Sequence, residues 1–155
     1  MAQIRRVLFV CAGNICRSPI AEAVFRHLAQ EHPGLAEIEV GSAGTIATNG
    51  NRLLPETAEV MRAEFGLEIS RHRARRLTKE TQADLILTAD SCVTREATDL
   101  ALTGRVEMLG DYAGTGEEVD DPYGGPEEAY RQCAHTIRRL VDGVIRRLEG
   151  EVKGQ

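Results

Sequence analysis

The chain has 155 residues and a mass of 17.0 kDa, which is the usual size of one domain. A hydrophobic fraction of 42% beside 28% charged residues is too apolar for a disordered chain. The longest apolar run, residues 7–12, is far shorter than the roughly 20 residues of a membrane helix, and the N-terminus does not resemble a signal peptide. We therefore expect one cytoplasmic domain over residues 1–155 with no membrane segment.

The net charge and the cysteine content limit the kinds of binding site that we expect in this chain. The formal charge is −5, which argues against a general binder of nucleic acid, so any anion site has to be built locally. Free thiols are expected because a chain of this size without an export signal is not typical of a disulfide scaffold. The cysteine and histidine spacings do not suit zinc, so we expect no metal and no cofactor.

The first predicted elements are a strand and a helix joined by a short loop. Residues 4–10 form an apolar run rich in Val and Phe, which predicts a buried strand that ends at Cys11. After the loop, Pro19 suits the first turn of a helix. Apolar residues then recur every four positions on one helical face: Ile20, Val24 and Leu28. Cys11 is thus expected at the carboxyl end of a strand, where α/β folds bind their ligands.

The rest of the chain repeats this alternation of strands and helices. A strand over 38–40 runs into GSAG at 41–44, and a helix extends from Pro55 to a left-handed cap at Gly66. Thr78 is expected to cap a short helix, which is followed by a strand over 83–87, a helix from Ser91 and a strand over 106–109. The chain then continues as a long surface loop over 110–125, a long helix from Pro126 and a frayed tail over 149–155. The last helix carries an apolar stripe: Tyr130, Cys133, Ile137, Leu140, Val144 and Leu148. This order predicts an α/β fold, a single three-layer domain whose four-stranded parallel sheet has helices on both faces.

The loop after the first strand carries residues that suit phosphate chemistry. Backbone N–H groups of a tight loop entering a helix form a nest for a tetrahedral anion. The residues expected to bind phosphate in this way are Ala12, Gly13, Asn14, Ile15, Cys16, Arg17 and Ser18. The same field stabilises a thiolate, so we expect Cys11 to be a nucleophile at neutral pH. Arg17 adds a planar fork for two phosphate oxygens, which suits the transition state better than the ground state.

A carboxylic acid in the long loop would complete a phosphatase site. Displacement at phosphorus expels an alkoxide or phenoxide, and a positioned acid accelerates that step by protonating the leaving oxygen. Asp120 and Asp121 both precede Pro122. Pro122 biases the residue before it towards an extended backbone, which favours Asp121 as the acid.

The stretch CAGNICRSPIAEAVF at 11–25 resembles the signature of low-molecular-weight protein tyrosine phosphatases, in a bacterial branch near the protein-arginine phosphatases. Similar segments cover nearly the whole chain: GSAG at 41–44, HRARRLT at 72–78, ADLILTAD at 83–90 and VDDPYGG at 119–125. The resemblance implies that Cys11 becomes a phosphocysteine and that Ser18 hydrogen-bonds to the thiolate. It also implies that Asn14, Ser42 and His72 hold the loop and that Asp121 acts first as acid and then as base. By the same resemblance, the partners are phosphorylated proteins, and the product released is inorganic phosphate.

The residues around the site leave the substrate open. Tyr123 is expected to form one wall by stacking on an aromatic ring, with Ile15 and Ile46 as other wall residues. Relatives acting on phosphotyrosine often carry an aromatic residue in the segment that here reads 46–49, and another where Gly124 stands. By the resemblance, Thr at the position of Ile15 goes with phosphoarginine. Ile15 therefore favours phosphotyrosine, in proteins or small aryl phosphates, over phosphoarginine.

Two functions other than a phosphatase stay open. Arsenate reductases share the resembled fold, but they need a closely spaced cysteine pair, whereas Cys92 is alone and Cys133 fits the apolar stripe. A module binding acidic partners would use the basic run Arg71–Arg76, which lacks the interleaved aromatic residues typical of nucleic-acid binding. The oligomeric state is not predicted by any of these patterns.

Cys16 is a second cysteine of the same loop. The resemblance implies that Cys11 and Cys16 can form a reversible disulfide that protects the nucleophile from overoxidation. The other interpretation is that Cys16 is a small apolar residue of the loop.

Overall fold

Four parallel strands form the centre of the protein. The structure is a computed structural model and describes residues 3–153. In chain order they are β1 (Arg6–Cys11), β2 (Glu39–Gly44), β3 (Leu85–Thr88) and β4 (Arg105–Met108). Their order in the sheet is β2-β1-β3-β4, and all three pairings are parallel. The predicted four-stranded parallel sheet is thereby confirmed, with Cys11 at the carboxyl end of an inner strand.

Helices cover both faces of this sheet. They are α1 (Arg17–Ala29), α2 (Pro55–Phe65), α3 (Ser91–Asp99), α4 (Leu109–Tyr112) and α5 (Glu127–Lys153), with a 3₁₀ turn at Pro33–Leu35. Val7 and Phe9 of β1 face a large core formed with α1, α2 and α5. Leu8 and Val10 point to the opposite face and pack against residues of α3, as the two-residue period of a strand requires. Gly66 caps α2 in the left-handed conformation, as predicted.

The segment after Thr78 does not form the predicted short helix. Lys79 and Glu80 form a turn, in which the N–H of Thr81 donates to the Thr78 carbonyl over 3.0 Å. The Thr78 N–H donates to the hydroxyl of Thr81 over 3.0 Å, so the side chain of Thr81 closes this turn. The N–H of Asp84 already donates to the Arg6 carbonyl over 3.0 Å, so only Gln82 and Ala83 lie between this turn and the sheet, fewer than one helical turn needs.

The predicted long loop over 110–125 and the predicted end of β4 are wrong at their shared boundary. Leu109 and Gly110 belong to α4 instead, and the ring of Tyr112 is buried under the guanidinium of Arg147 at 4.1 Å. A Cβ on Gly110 would overlap the carbonyl oxygen of Glu117, so only glycine lets the following loop fold back onto α4. This burial depends on α5, which is distant in sequence.

The predicted frayed tail is also wrong over residues 149–153, which continue α5 to Lys153. Glu151 accepts a hydrogen bond from the Tyr112 hydroxyl at 3.0 Å, and Glu149 lies 3.0 Å from His32, so two contacts hold the last turns. Residues 154 and 155 of that prediction lie outside the described residues. Over residues 3–153, every helix is too short or too polar to cross a membrane.

Candidate active site

The loop that joins β1 to α1 gathers polar groups around the sulfur of Cys11. We call residues 11–18 the Cys11 loop. The N–H of Ser18 donates to Cys11 Sγ over 3.4 Å, and the Ser18 hydroxyl lies 3.0 Å from the same sulfur. Because α1 begins at Arg17, the positive end of its dipole is directed at the sulfur. Negative charge on Cys11 is therefore stabilised by donors that are already in place.

Asn14 holds the Cys11 loop from the inside. Its φ of 57° lies in the left-handed region, which Asn adopts more readily than most residues. The fully buried side chain donates from Nδ2 to the hydroxyls of Ser18 at 2.8 Å and Ser42 at 3.0 Å. Its Oδ1 accepts the N–H of Arg75 at 2.8 Å, and its carbonyl oxygen lies 2.8 Å from His72 Nε2. The structure thus brings together the four residues expected to support the loop.

Glu22 and Gly44 complete this support, and sequence reasoning missed both. The Ser42 hydroxyl donates to Glu22 Oε1 over 2.6 Å, which orients its lone pairs towards Asn14. A Cβ on Gly44 would overlap the carbonyl oxygen of Ala12, so glycine is required where β2 passes the loop. Glu22 could have been found from its spacing, because it lies one helical turn after Ser18 and on the same face.

Arg17 is almost fully buried, and its guanidinium is held from two sides. Nη1 donates to Asp90 Oδ2 over 2.7 Å and to the Val119 carbonyl over 2.8 Å, while Nη2 lies 3.8 Å from Asp121 Oδ2. Burial by itself lowers the pKa of Arg17, but the hydrogen bond to Asp90 and the nearby charges of Cys11 and Asp121 raise the pKa above its ordinary value. The guanidinium is therefore a permanent positive charge with a defined orientation.

Asp90 is a third residue that sequence reasoning missed. It caps α3 by accepting the N–H of Val93 at 2.8 Å through Oδ1, while Oδ2 binds Arg17. Burial raises the pKa of Asp90, but these two hydrogen bonds outweigh it and hold the pKa below the ordinary value. An Asp between a strand and a helix is a cap signal in the sequence, whereas its bond to Arg17 bridges 73 residues.

The loop after α4 brings Asp121 to Arg17 and leaves Asp120 exposed to solvent. Val119 is buried, and its N–H donates to the Ala89 carbonyl beyond the end of β3 at 2.9 Å. Asp121 Oδ1 accepts the N–H of Tyr123 at 3.1 Å, and the carboxyl is half exposed. Asp121 is thus oriented by its own turn and remains open to water.

The three predicted wall residues surround the same end of the sheet. Ile46 and Tyr123 are exposed by 60% and 69%, the largest exposures of any bulky hydrophobic side chain within residues 3–153. The N–H of Ile46 donates to the Ala12 carbonyl at 3.0 Å, which ties this wall to the Cys11 loop. Ile15, in the loop itself, is half-buried. Exposed apolar side chains beside a polar cleft are typical of a binding site.

The second cysteine of the loop is directed into the core. Cys16 and Cys133 are both buried in the cluster between the sheet and α5, and all four cysteines are free thiols. Contact with Cys16 and burial both raise the pKa of the Cys133 thiol. The disulfide between Cys11 and Cys16 stays a prediction. No group of three His, Cys, Asp or Glu side chains suited to a metal ion occurs among the described residues.

Comparison with known proteins agrees with this geometry. The family described as "Low molecular weight phosphotyrosine protein phosphatase" matches residues 6–154. A probable low molecular weight protein-tyrosine-phosphatase, EpsP, of Ralstonia solanacearum is 40% identical over 149 residues, covering 94% of this chain and 97% of the relative. A protein-arginine-phosphatase of Geobacillus stearothermophilus is 35% identical over 155 residues, covering 94% and 97%.

Solved structures show the same likeness. A low molecular weight protein tyrosine phosphatase from T. tengcongensis superimposes with a TM-score of 0.83 at 35% identity, covering 91% of this chain and 97% of that one. The shared fold and the sequence match both extend over nearly the entire chain. The chain therefore belongs to the low molecular weight phosphotyrosine protein phosphatase family.

Proposed function

We propose that the chain, acting as one domain over residues 1–155, hydrolyses phosphotyrosine in proteins through a phosphocysteine on Cys11. The observation that carries this proposal is that the N–H of Ser18 donates to Cys11 Sγ over 3.4 Å and the Ser18 hydroxyl lies 3.0 Å from the same sulfur, at the start of a helix. That arrangement stabilises a thiolate and supplies N–H groups for a phosphate in the same place.

In the first step the Cys11 thiolate attacks phosphorus. The new S–P bond forms as the P–O bond to the leaving group breaks, and Asp121 gives its proton to the leaving oxygen. Arg17 has five N–H donors, and Nη1 is already engaged with Asp90 and Val119. The donors on Nε and Nη2 remain to bind two phosphate oxygens in the transition state.

In the second step water hydrolyses the phosphocysteine. Asp121, now a carboxylate, takes a proton from the water as its oxygen attacks phosphorus, and the S–P bond breaks with its electron pair going to sulfur. The Ser18 hydroxyl has one hydrogen, which can go to Cys11 Sγ or to the Ala43 carbonyl at 3.3 Å. Turning this hydrogen towards the sulfur stabilises the departing thiolate, and inorganic phosphate is released.

The wall residues favour an aryl substrate. Tyr123 and Ile46 offer an exposed ring and an exposed aliphatic side chain, which suit stacking against a phenyl group. A second candidate is phosphoarginine, because a protein-arginine-phosphatase is 35% identical to the chain and the segment 46–49 has no aromatic residue. Because the resemblance associates Thr at the position of Ile15 with phosphoarginine, the Ile15 of this chain favours phosphotyrosine as the substrate. Arsenate reduction stays less favoured, since Cys92 has no neighbouring cysteine in sequence.

The proposal is tested by kcat/KM on phosphotyrosine and phosphoarginine peptides. We expect Cys11→Ser to abolish turnover while vanadate still binds, because the N–H groups of the loop are backbone groups and are retained. The wild type should prefer phosphotyrosine, and Ile15→Thr should shift the ratio towards phosphoarginine. Full activity of Cys11→Ser would remove the nucleophile from the proposal, and a wild-type preference for phosphoarginine would reverse the substrate. Independence of added metal and a cytoplasmic location stay predictions.

A further inference from the structure

Five exposed arginines lie on two paired segments beside the Cys11 loop. We call them the arginine patch: Arg52, Arg71, Arg73, Arg75 and Arg76. Arg52 stands opposite Arg73 in an antiparallel bridge. The N–H of Gly50 donates to the Ala74 carbonyl at 2.9 Å, and the N–H of Ala74 donates to the Asn51 carbonyl at 2.8 Å. These bonds fix the two segments side by side, so the five arginines of the patch lie on adjacent backbone although they come from two parts of the sequence.

The patch is connected directly to the catalytic end of the sheet. Arg76 pairs with Gly44, the last residue of β2, and the N–H of Arg75 donates to Asn14 in the Cys11 loop. Residues 49–52 continue the segment that carries the wall residue Ile46, whose N–H is bonded to Ala12. A peptide whose phosphorylated side chain enters the Cys11 loop past Ile46 therefore meets the arginine patch next.

The patch has an excess of positive charge in a chain whose net charge is −5. Across residues 3–153 the salt bridges involve other arginines, among them Arg62, Arg139 and Arg147, and none involves a patch arginine. A groove of about 620 Å³ runs below Arg75 and Arg76 and also contains the carboxylates Glu39 and Glu80. Glu39 is paired with Arg6 at 2.6 Å. Of the two carboxylates in this groove, Glu80 is therefore the one whose negative charge can offset the positive charge of the patch.

We propose that the arginine patch binds acidic residues flanking the phosphorylated residue of a protein substrate, an inference that rests on the proposed function. An extended peptide advances about 3.3 Å per residue, so carboxylates a few positions from the phosphorylated residue reach the patch. Arginine forks bind carboxylates in bidentate geometry. Charges at the rim of a binding site act on the rate of association and on specificity. Residues 49–52 and 71–76, which carry the patch, contain no Phe, Tyr or Trp for stacking nucleic-acid bases, which favours an acidic polypeptide.

The test compares two phosphotyrosine peptides that differ in flanking charge, one with three Asp or Glu residues on each side and one with Asn and Gln there. The patch variant combines three arginines that have no side-chain hydrogen bond within residues 3–153: Arg52→Gln, Arg71→Gln and Arg76→Gln. The control variant removes the same charge from the far end of β1 and from α5: Arg5→Gln, Arg138→Gln and Arg146→Gln. Both kcat/KM and the affinity of a Cys11→Ser form for each peptide are measured, the latter by fluorescence anisotropy.

We expect the wild type and the control variant to favour the acidic peptide by roughly fivefold to tenfold at low salt, in line with several exposed ion pairs. The patch variant should lose this preference, as should the wild type in 0.5 M salt, while turnover of phenyl phosphate is unchanged. Equal values for the two peptides in the wild type, or a preference that survives in the patch variant, would overturn the proposal.

The two readouts separate this inference from the proposed function. If phenyl phosphate is not hydrolysed, the proposed function fails, and the anisotropy of the Cys11→Ser form still decides whether the patch binds acidic flanks. A single-stranded RNA that binds the patch more tightly than the acidic peptide, or anionic lipid vesicles that do so, would assign the patch to another partner and overturn the proposal.

Discussion

Replacing Asp90 by Asn removes the partly buried charge partner of Arg17 while keeping a residue that caps α3. The Oδ2–Nη1 distance is 2.7 Å, which corresponds to about 6 kcal/mol of attraction at an effective dielectric of 20. Most of this attraction offsets the cost of desolvating both groups. Arg17 also keeps its bond to the Val119 carbonyl and its proximity to Asp121. We therefore expect Asp90→Asn to lower the free energy of unfolding by about 1–3 kcal/mol.

The same substitution should lower kcat/KM by roughly 10- to 100-fold, because a displacement of about 1 Å in a positioning group costs that much. Asp90→Ala is the matched variant, since it also removes the cap on the Val93 N–H and should cost about 1 kcal/mol more. The assays are guanidinium chloride unfolding, read from the midpoint at constant slope, and steady-state kinetics. A variant Asp90→Asn with wild-type stability and kcat/KM within twofold would refute the role of this ion pair.

Two further predictions concern the acid and the contact of Tyr112 in α4 with α5. Asp121→Asn should lower kcat by about 10²- to 10⁴-fold for alkyl phosphates and less for nitrophenyl phosphate, whose leaving group needs no proton; an equal loss in Asp120→Asn would reassign the acid. Burial and the hydrogen bond to Glu151 raise the pKa of Tyr112, so the folded state releases this proton at higher pH than the unfolded state. The free energy of unfolding should fall as pH rises above about 10, and Tyr112→Phe should show a smaller fall in the same titration; identical pH profiles would contradict this reasoning.

Much of the fold and the centre of the site follows from local patterns. The run 4–10 is apolar at every position but two, because an inner strand of a parallel sheet is buried on both faces. A loop follows Cys11 directly and α1 begins at Arg17, and these neighbours in sequence supply the Ser18 groups beside its sulfur. Pro122 favours Asp121 over Asp120 as the acid, since proline restricts the residue before it, and this assignment stays a prediction. These features depend on residues within about ten positions of each other.

The tertiary structure decided the features that depend on distant partners. Asp90 binds Arg17 across 73 residues, and the two arginine segments pair across more than twenty positions. Tyr112 of α4 packs against Arg147 and donates a hydrogen bond to Glu151, both on α5. These contacts stabilise α4 and also the last turns of α5. Local propensity carries no information on such partners, because their positions are set only when the sheet order brings the carboxyl ends of β1, β2 and β3 together.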